Sequence, residues 1–112
     1  MTNAEIVRQH LEALNAKDAA LVKSMVAEDA TLRSQGKTVP HVDVLQTEQD
    51  EWKQHPERKY VADEILSEGD KVAVRCTMMD DGSTPTLEML VLHYLKDGKI
   101  ARTEVGLISP RP

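Results

Sequence analysis

Residues 68–75 read EGDKVAVR, a glycine beside acidic residues followed by alternating apolar and other residues. Two later separators, Asp81-Gly82-Ser83 and Asp97-Gly98, also place glycine beside an acidic residue, which is typical of tight hairpin turns. The runs between these separators move from a helical period toward a period of two, as strands do. These runs are residues 59–67, 71–79, 84–95 and 99–108. The second half of the chain is therefore predicted to form a four-stranded antiparallel meander.

The first helix carries sequence signals at both of its ends. Thr2 and Glu5 have the spacing of a capping box, and Asn15 can close the helix in the left-handed conformation. Between them lies one apolar stripe made of Ile6, Val7, His10, Leu11 and Leu14. This pattern predicts an amphipathic helix that buries His10 together with its apolar neighbours.

Two further helices are predicted before the meander. Asp18 can cap a second helix, and its buried face would be Leu21, Val22, Met25 and Val26. Residues 30–33 form a short strand or a connector, and Pro40 suits the first turn of a third helix that ends before Pro56. The inward face of this third helix would be Leu45, Gln49 and Trp52. Its solvated side would be the charged run Glu48, Asp50, Glu51 and Lys53. Helices followed by a sheet predict an α+β domain, with the last four residues as an exposed end.

The composition limits the classes of function. A chain of 112 residues suits one domain, residues 1–112. The net charge of −5 and the absence of a Lys/Arg block argue against nucleic acid or an anionic membrane as partner. No apolar run is long enough to span a membrane, and the first residues lack the pattern of a signal peptide. The single cysteine, Cys76, excludes an internal disulfide framework. We expect a cytoplasmic protein.

Several short phrases resemble the NTF2-like superfamily, which has a cystatin-like fold and includes SnoaL-like cyclases and ketosteroid isomerase. They are residues 11–18 (LEALNAKD), 26–32 (VAEDATL), 68–75 (EGDKVAVR) and 96–100 (KDGKI). The resemblance covers nearly the whole chain. It implies an NTF2-like cone, in which three N-terminal helices pack on a curved antiparallel sheet around an apolar pocket. It also implies a homodimer joined through the outer face of the sheet.

The resemblance also tells us which positions carry catalysis in related enzymes. The isomerases have a tyrosine on the first helix where this chain has His10, and a base aspartate where it has Ser34. They have an acid on the penultimate strand where this chain has Leu90, while the last strand offers Thr103. Arg75 does not begin the Arg-x-Asp arrangement of epoxide hydrolases. The familiar isomerase residues are therefore absent.

Strand parity predicts the wall of the pocket. It turns Val74, Cys76, Met78 and Asp80 toward the helices, opposite Glu88, Leu90, Leu92 and Tyr94, with Thr103, Val105 and Leu107 completing the wall. The candidate ligand-binding residues are Ser34, Gln49, Trp52, Tyr60, Cys76, Met78, Leu90, Leu92 and Thr103. Such a lining suits a small hydrophobic ligand. The alternative is that these residues simply pack the core against the helices.

His10 and Glu88 are the catalytic candidates. An imidazole on the buried stripe could take a proton or donate to a carbonyl, or it could be a core histidine bonded to a neighbour. A carboxyl among apolar residues would have a raised pKa and could be an acid or base, or it could pair with Arg75 or Arg102. Cys76 is more simply inert packing. His41 and His55 match no metal-ligand spacing, so neither a metal nor a cofactor is expected.

Two functions follow from these patterns. The first is a SnoaL-like or ketosteroid-isomerase-like protein that binds a small hydrophobic molecule, with acid–base chemistry of the isomerase, cyclase or hydrolase kind. The second is a non-catalytic ligand-binding or dimerisation module with a degenerate pocket. The loss of acids at the Ser34 and Leu90 positions favours the second, and the polar candidates His10 and Glu88 favour the first.

Overall fold

The structure, a computed structural model, describes residues 1–110, with side chains through residue 108. The elements in chain order are α1 (Asn3–Asn15), α2 (Ala19–Ser24), β1 (Val26–Ser34), β2 (Lys37–Pro40), α3 (His41–Gln54), β3 (Lys59–Glu68), β4 (Lys71–Met79), β5 (Leu87–Lys96) and β6 (Lys99–Pro110). The predicted exposed end is partly wrong, because Ser109 and Pro110 belong to β6. Arg111 and Pro112 lie outside the described residues. No helix within residues 1–110 is long and apolar enough to cross a membrane.

The six strands form one curved sheet in the order β2-β1-β6-β5-β4-β3, with α1, α2 and α3 on its concave side. The predicted α+β class and the antiparallel meander β3–β6 are confirmed. Residues 30–33 are part of the longer strand β1, which pairs with β6 in parallel and with β2 in antiparallel fashion. The sequence did not predict β2, because four residues after Gly36 are too few to show a period of two.

The caps of the first two helices satisfy backbone N–H groups at the N-terminal ends of α1 and α2. The backbone N–H of Glu5 donates to Oγ1 of Thr2 at 3.1 Å, and the N–H of Thr2 donates to Oε1 of Glu5 at 3.0 Å, so the capping box is confirmed. Asp18 caps α2 as predicted. The role predicted for Asn15 is wrong, because Lys17 takes the left-handed conformation, with φ +56°.

Asn15 instead ties the end of α1 to the first strand of the meander. Its Nδ2 donates to the backbone oxygen of Tyr60 at 2.8 Å, and its Oδ1 accepts from the backbone N–H of Tyr60 at 2.7 Å. This pair of bonds imitates the pairing of a neighbouring strand. It fixes the distance between α1 and β3, and therefore the width of the space between them.

The register of β5 differs from the prediction. Cys76 pairs directly with Met89 and Val74 with Val91, so the odd-numbered residues of β5 face the helices. Leu90, which was predicted to face inward, is half exposed on the outer face. The parity prediction failed because both faces of β5 are apolar, and alternation alone cannot decide which side is buried.

The core lies between α1 and strands β4, β5 and β6. Its buried members are Ile6, Val7, Met25, Val72, Val74, Cys76, Leu95 and Ile100. The predicted buried face of α2 is only partly correct, since Val22 is buried but Leu21 is exposed. Helix α2 is too short to keep one face buried, because it ends at Ser24 and the chain enters β1 at Val26. Pro40 precedes α3 as its N-cap and does not lie in its first turn.

Candidate functional site

A cavity of about 330 Å³ lies between the helices and the concave face of the sheet. Its wall is mainly leucine, valine, isoleucine and methionine side chains from the three helices, from β1 and from the four strands of the meander. The polar residues in the wall are Ser34, His10, His41, His93, Thr103, Glu48, Tyr60 and Cys76. A ligand pocket spans about 300–1,000 Å³ in general, so this cavity of about 330 Å³ has room for a small, largely apolar molecule.

Three histidines and one threonine meet in the buried part of the cavity. His10 comes from the inward stripe of α1, His41 is the first residue of α3, and His93 and Thr103 face each other on β5 and β6. Nε2 of His41 lies 3.0 Å from Oγ1 of Thr103, and Nδ1 of His93 lies 2.8 Å from the same oxygen. The Thr103 hydroxyl can donate its proton to one imidazole while it accepts from the other. It thereby links α3 to the sheet.

His10 completes this cluster without a partner for its Nε2. The ring of His10 lies edge-on to His93 at 5.7 Å and to His41 at 6.3 Å between centroids. Its Nε2 is buried and has no hydrogen-bond partner among the residues that the structure describes. A buried nitrogen without a partner is costly, because it has lost its hydrogen bond to water. A polar group of a ligand in the cavity would satisfy it.

Burial keeps all three imidazoles neutral near pH 7. It lowers the pKa of His10 to about 4, with a further contribution from the charge of His41. It lowers the pKa of His93 to about 3, with smaller contributions from His10 and His41, and it lowers the pKa of His41 as well. A neutral imidazole offers one donor and one acceptor. The cluster is therefore suited to hydrogen bonding with a neutral ligand group.

Glu48 on α3 supplies the carboxylate of the cavity wall. Its Oε2 accepts from the hydroxyl of Tyr60 at 2.6 Å and from Nε1 of Trp52 at 3.0 Å, and its Oε1 lies 3.2 Å from Nη1 of Arg58. The predicted solvated side of α3 is therefore wrong at Glu48, whose side chain is only 14% exposed. Burial, and then the charge of Glu48, raise the pKa of Tyr60, so its phenol stays protonated and donates.

Arg58 holds Glu48 in place from behind the cavity wall. The guanidinium is buried, and it also contacts Oε1 of Glu51 at 2.8 Å and Oδ1 of Asp80 at 2.8 Å. Burial acts to lower the pKa of Arg58, but Glu51, Glu48 and Asp80 together with Tyr60 outweigh it and hold the pKa above its usual value. This group could not be predicted from the sequence, because its members come from α3, the loop before β3 and the residue that follows β4.

The structure separates the predicted site residues into two sets. Those that line the cavity are His10, Ser34, Tyr60, Cys76, Met78 and Thr103. Those outside its lining are Gln49, Trp52, Leu90, Leu92 and Glu88. Gln49 is displaced because α3 turns Glu48 inward instead. Trp52 reaches only the back of Glu48, with its indole N–H.

The inward placement predicted for Glu88 is also wrong, whereas the alternative predicted for it, pairing with Arg75, is confirmed. Glu88 is paired in register with Thr77 on the outer face of the sheet, and its Oε1 lies 3.6 Å from Nη1 of Arg75. The residues that actually enter the cavity from β5 are Leu87, Met89, Val91 and His93. His93 could have been predicted as a cavity residue only if the register of β5 had been known. It is the polar side chain among the odd-numbered residues of β5, which face the helices.

Two other kinds of site, a metal site and a cysteine nucleophile, receive little support. Within residues 1–110, no group of three His, Cys, Asp or Glu side chains is arranged to hold a metal ion. Burial, and then the charge of Asp63, raise the pKa of the Cys76 thiol to about 11. A thiol that is protonated at neutral pH is a poor nucleophile.

Comparisons with known proteins agree with this architecture. The sequence model of the SnoaL-like domain family matches residues 7–103. An NTF2-like protein of unknown function from Cytophaga hutchinsonii is similar in structure, with a TM-score of 0.81 and 18% identity over 96% of this chain and 91% of that chain. No curated protein matches the sequence.

Two similar structures carry names of enzymes. A proposed polyketide cyclase from Sinorhizobium meliloti has a TM-score of 0.75 and 24% identity over 91% of this chain and 94% of that chain. A proposed ketosteroid isomerase from Kribbella flavida has a TM-score of 0.76 and 18% identity over 98% of this chain and 82% of that chain. At these identities the likeness shows the fold alone.

Proposed function

Because the chain belongs to the SnoaL-like domain family, within the NTF2-like superfamily, we propose that it binds a small hydrophobic molecule in its cavity. We propose further that it acts on this molecule by acid–base chemistry, as a cytoplasmic isomerase, cyclase or hydrolase without a cofactor. The observation that carries the proposal is the buried Nε2 of His10, which lacks a partner among the described residues and lies on the cavity wall. The enzyme names of two structural neighbours support the reaction class.

His10 has a specific part in this proposal. With a pKa of about 4 it is neutral at physiological pH, so it is a weak base but a competent hydrogen-bond partner. A neutral imidazole in an apolar site can polarise a carbonyl and stabilise negative charge that develops on its oxygen. Glu48 is the carboxylate within reach of the cavity that could move a proton. Glu88 has no part, because it lies on the outer face.

A second candidate function is ligand binding without catalysis. It is favoured by the low pKa of both His10 and His93, which leaves the cluster with little basicity. Ser34, at the position that the resemblance gives to a base aspartate, lines the cavity but has no charge. This candidate would be favoured if ligands bind in the cavity and none of them is converted to a product.

We expect a thermal shift when a suitable ligand enters the cavity. The panel consists of small apolar amines, alcohols, ketones, epoxides and aromatic acids, and the melting temperature is measured for each. A ligand present at about 100 times its Kd should raise the melting temperature by at least about 5 °C. Replacing His10 by Leu should weaken the binding of that ligand about tenfold, because leucine has no polar atom to replace Nε2.

The control for this experiment is His55→Leu, since His55 lies at the end of α3 and not in the cavity wall. This variant should bind as tightly as the wild type. If no member of the panel shifts the melting temperature, the proposal of a hydrophobic ligand is wrong. If His10→Leu and His55→Leu bind equally well, His10 is not a ligand contact.

We also propose a homodimer that is joined through the outer face of the sheet. Leu66 and Leu92 lie in one cross-strand row there, Leu90 lies in the next, and Leu66 and Leu90 are 65% and 50% exposed. Analytical ultracentrifugation should give a dimer for the wild type and a monomer for Leu90→Glu. A charge at the exposed Val42 of α3 should leave the mass unchanged. A monomeric wild type would contradict the proposal.

A further inference from the structure

Negative charge is in excess around Glu48. Glu48, Glu51 and Asp80 all contact the guanidinium of Arg58, whereas Nζ of Lys17 contacts the backbone oxygen of Arg58 at 3.1 Å. Three carboxylates thus contact one guanidinium. Neutralising Arg58 would need one carboxylate, and Asp80 already bonds both Nε and Nη2. Excess charge in a partly buried place is costly unless a further partner stabilises it.

The carboxylate of Glu48 also has room for another donor. A carboxylate can accept about four hydrogen bonds, and the described residues give it three, from Tyr60, Trp52 and Arg58. These three donors come from three elements of the fold and fix the carboxylate in one position. Glu48 lines the cavity, whereas Glu51 does not. A donor that enters from the cavity side would therefore meet a preorganised acceptor.

A second polar group, Nε2 of His10, lies in the wall of the same cavity. Nε2 of His10 is buried and lacks a partner among residues 1–110, and the whole of His10 is only 6% exposed. His10 is on α1 and Glu48 is on α3, and the wall that they share is mainly aliphatic. A molecule that bonded to both the Glu48 carboxylate and Nε2 of His10 would have polar groups at two places on an apolar body.

We propose that the cavity selects a small apolar molecule that carries a hydrogen-bond donor, an amine or a hydroxyl, which Glu48 accepts while a second polar group of the molecule meets Nε2 of His10. This proposal rests on the proposed ligand-binding function and names the substrate class. It makes Glu48 a specificity-determining residue. Apolar carboxylic acids should be rejected, because their charge repels that of Glu48 and leaves its acceptor unsatisfied.

The test uses three probes with one common body: 2-naphthylmethylamine, 2-naphthylmethanol and 2-naphthoate. Calorimetry on the wild type should show binding of the amine and the alcohol, with 2-naphthoate at least about tenfold weaker. Glu48→Gln should weaken binding of the amine about tenfold and reduce the difference between the amine and 2-naphthoate. If added salt lowers the affinity of the amine but not that of the alcohol, charge contributes to recognition of the amine in addition to the hydrogen bond.

Glu51→Gln is the matched control. It removes the same charge from the same guanidinium, but its side chain is 44% exposed and lies outside the cavity wall. The Kd of the amine should stay within about twofold of the wild-type value, as expected for an exposed charge. Equal effects of Glu48→Gln and Glu51→Gln would overturn the proposal, since the cause would then be general electrostatics.

The remaining outcomes separate this proposal from the proposed function. If 2-naphthoate binds as tightly as the amine and the alcohol, selection by Glu48 is wrong. If none of the three probes binds but a ketone or epoxide does, the donor class is wrong while ligand binding stands. If no apolar molecule of either set binds, both proposals fail. Should Glu48→Gln not fold, the order of the three probes on the wild type decides.

Discussion

The free energy of unfolding should decrease steeply as the pH falls from 6.5 toward 4. His10 and His93 have pKa values of about 4 and about 3 in the folded protein, because burial opposes their protonation, and the pKa of His41 is lowered for the same reason. In the unfolded chain each histidine titrates near pH 6.5, so between these values the unfolded state binds more protons. Stability therefore rises with pH in this window and levels off above pH 6.5.

The expected size of this loss is large for a protein of 112 residues. Each histidine contributes up to about 1.4 kcal/mol per pH unit within its window, so His10 and His93 together should cost several kcal/mol by pH 4.5. Small domains are stable by about 5–15 kcal/mol in total. Urea denaturation at a series of pH values and constant ionic strength measures the effect.

Two variants separate the histidine cluster from the carboxylates that also titrate in acid. His10→Gln should reduce the slope between pH 6 and pH 4.5 by about 1 kcal/mol per pH unit, because one buried proton acceptor is gone. His55→Gln should keep the wild-type slope, since His55 lies at the end of α3 and outside the cluster. A wild-type slope that is unchanged in His10→Gln would contradict the burial of a neutral imidazole at this position.

Replacing Arg58 by Met should destabilise the protein by about 3–5 kcal/mol, the usual cost of breaking a buried ion pair on one side. The guanidinium side chain is 3% exposed and contacts Glu48, Glu51 and Asp80. Methionine keeps much of the aliphatic stem but leaves three carboxylates facing one another without their central cation. Urea denaturation at pH 7 gives the free energy change.

Arg75→Met provides the comparison on the outer face. Arg75 also faces two acids, Glu64 at 3.8 Å and Glu88 at 3.6 Å, but its side chain is 47% exposed. Exposed ion pairs contribute about 0–1 kcal/mol, so this variant should change stability little. Similar losses in Arg58→Met and Arg75→Met would mean that Arg58 is not the organising cation. Adding Glu48→Gln to Arg58→Met should restore part of the stability, because one unpaired charge is then removed.

The sequence was most informative where one residue type had a local reason to be there. Thr2 and Glu5 form their capping box, and the glycine turns at 69 and 98 join strands as predicted. These features depend on contacts within a few residues, so a short window of sequence contains all that is needed to predict them. The buried stripe of α1 was predicted for the same reason, and it placed His10 on the inward side of the helix.

The sequence was uninformative where the outcome depended on which strands lie side by side. In β5 both parities are apolar, so the choice between Leu90 and His93 as the inward residue came from the pairing with β4 and β6. Helix α3 has acids on several sides, and only the position of Arg58 shows why Glu48 turns inward. Neither fact can be read from spacing along the chain.

The sequence by itself therefore determined the class of fold and the antiparallel meander, and it predicted six of the residues that line the cavity: His10, Ser34, Tyr60, Cys76, Met78 and Thr103. The tertiary structure alone decided the rest of the candidate site, by bringing His41, His93 and Thr103 to His10 and by fixing Glu48 among Tyr60, Trp52 and Arg58. The physical reason is the separation along the chain between the residues that interact. Turns and caps are stabilised by neighbours in sequence, whereas a buried polar group is stabilised by whichever partners the folded chain brings within hydrogen-bonding distance.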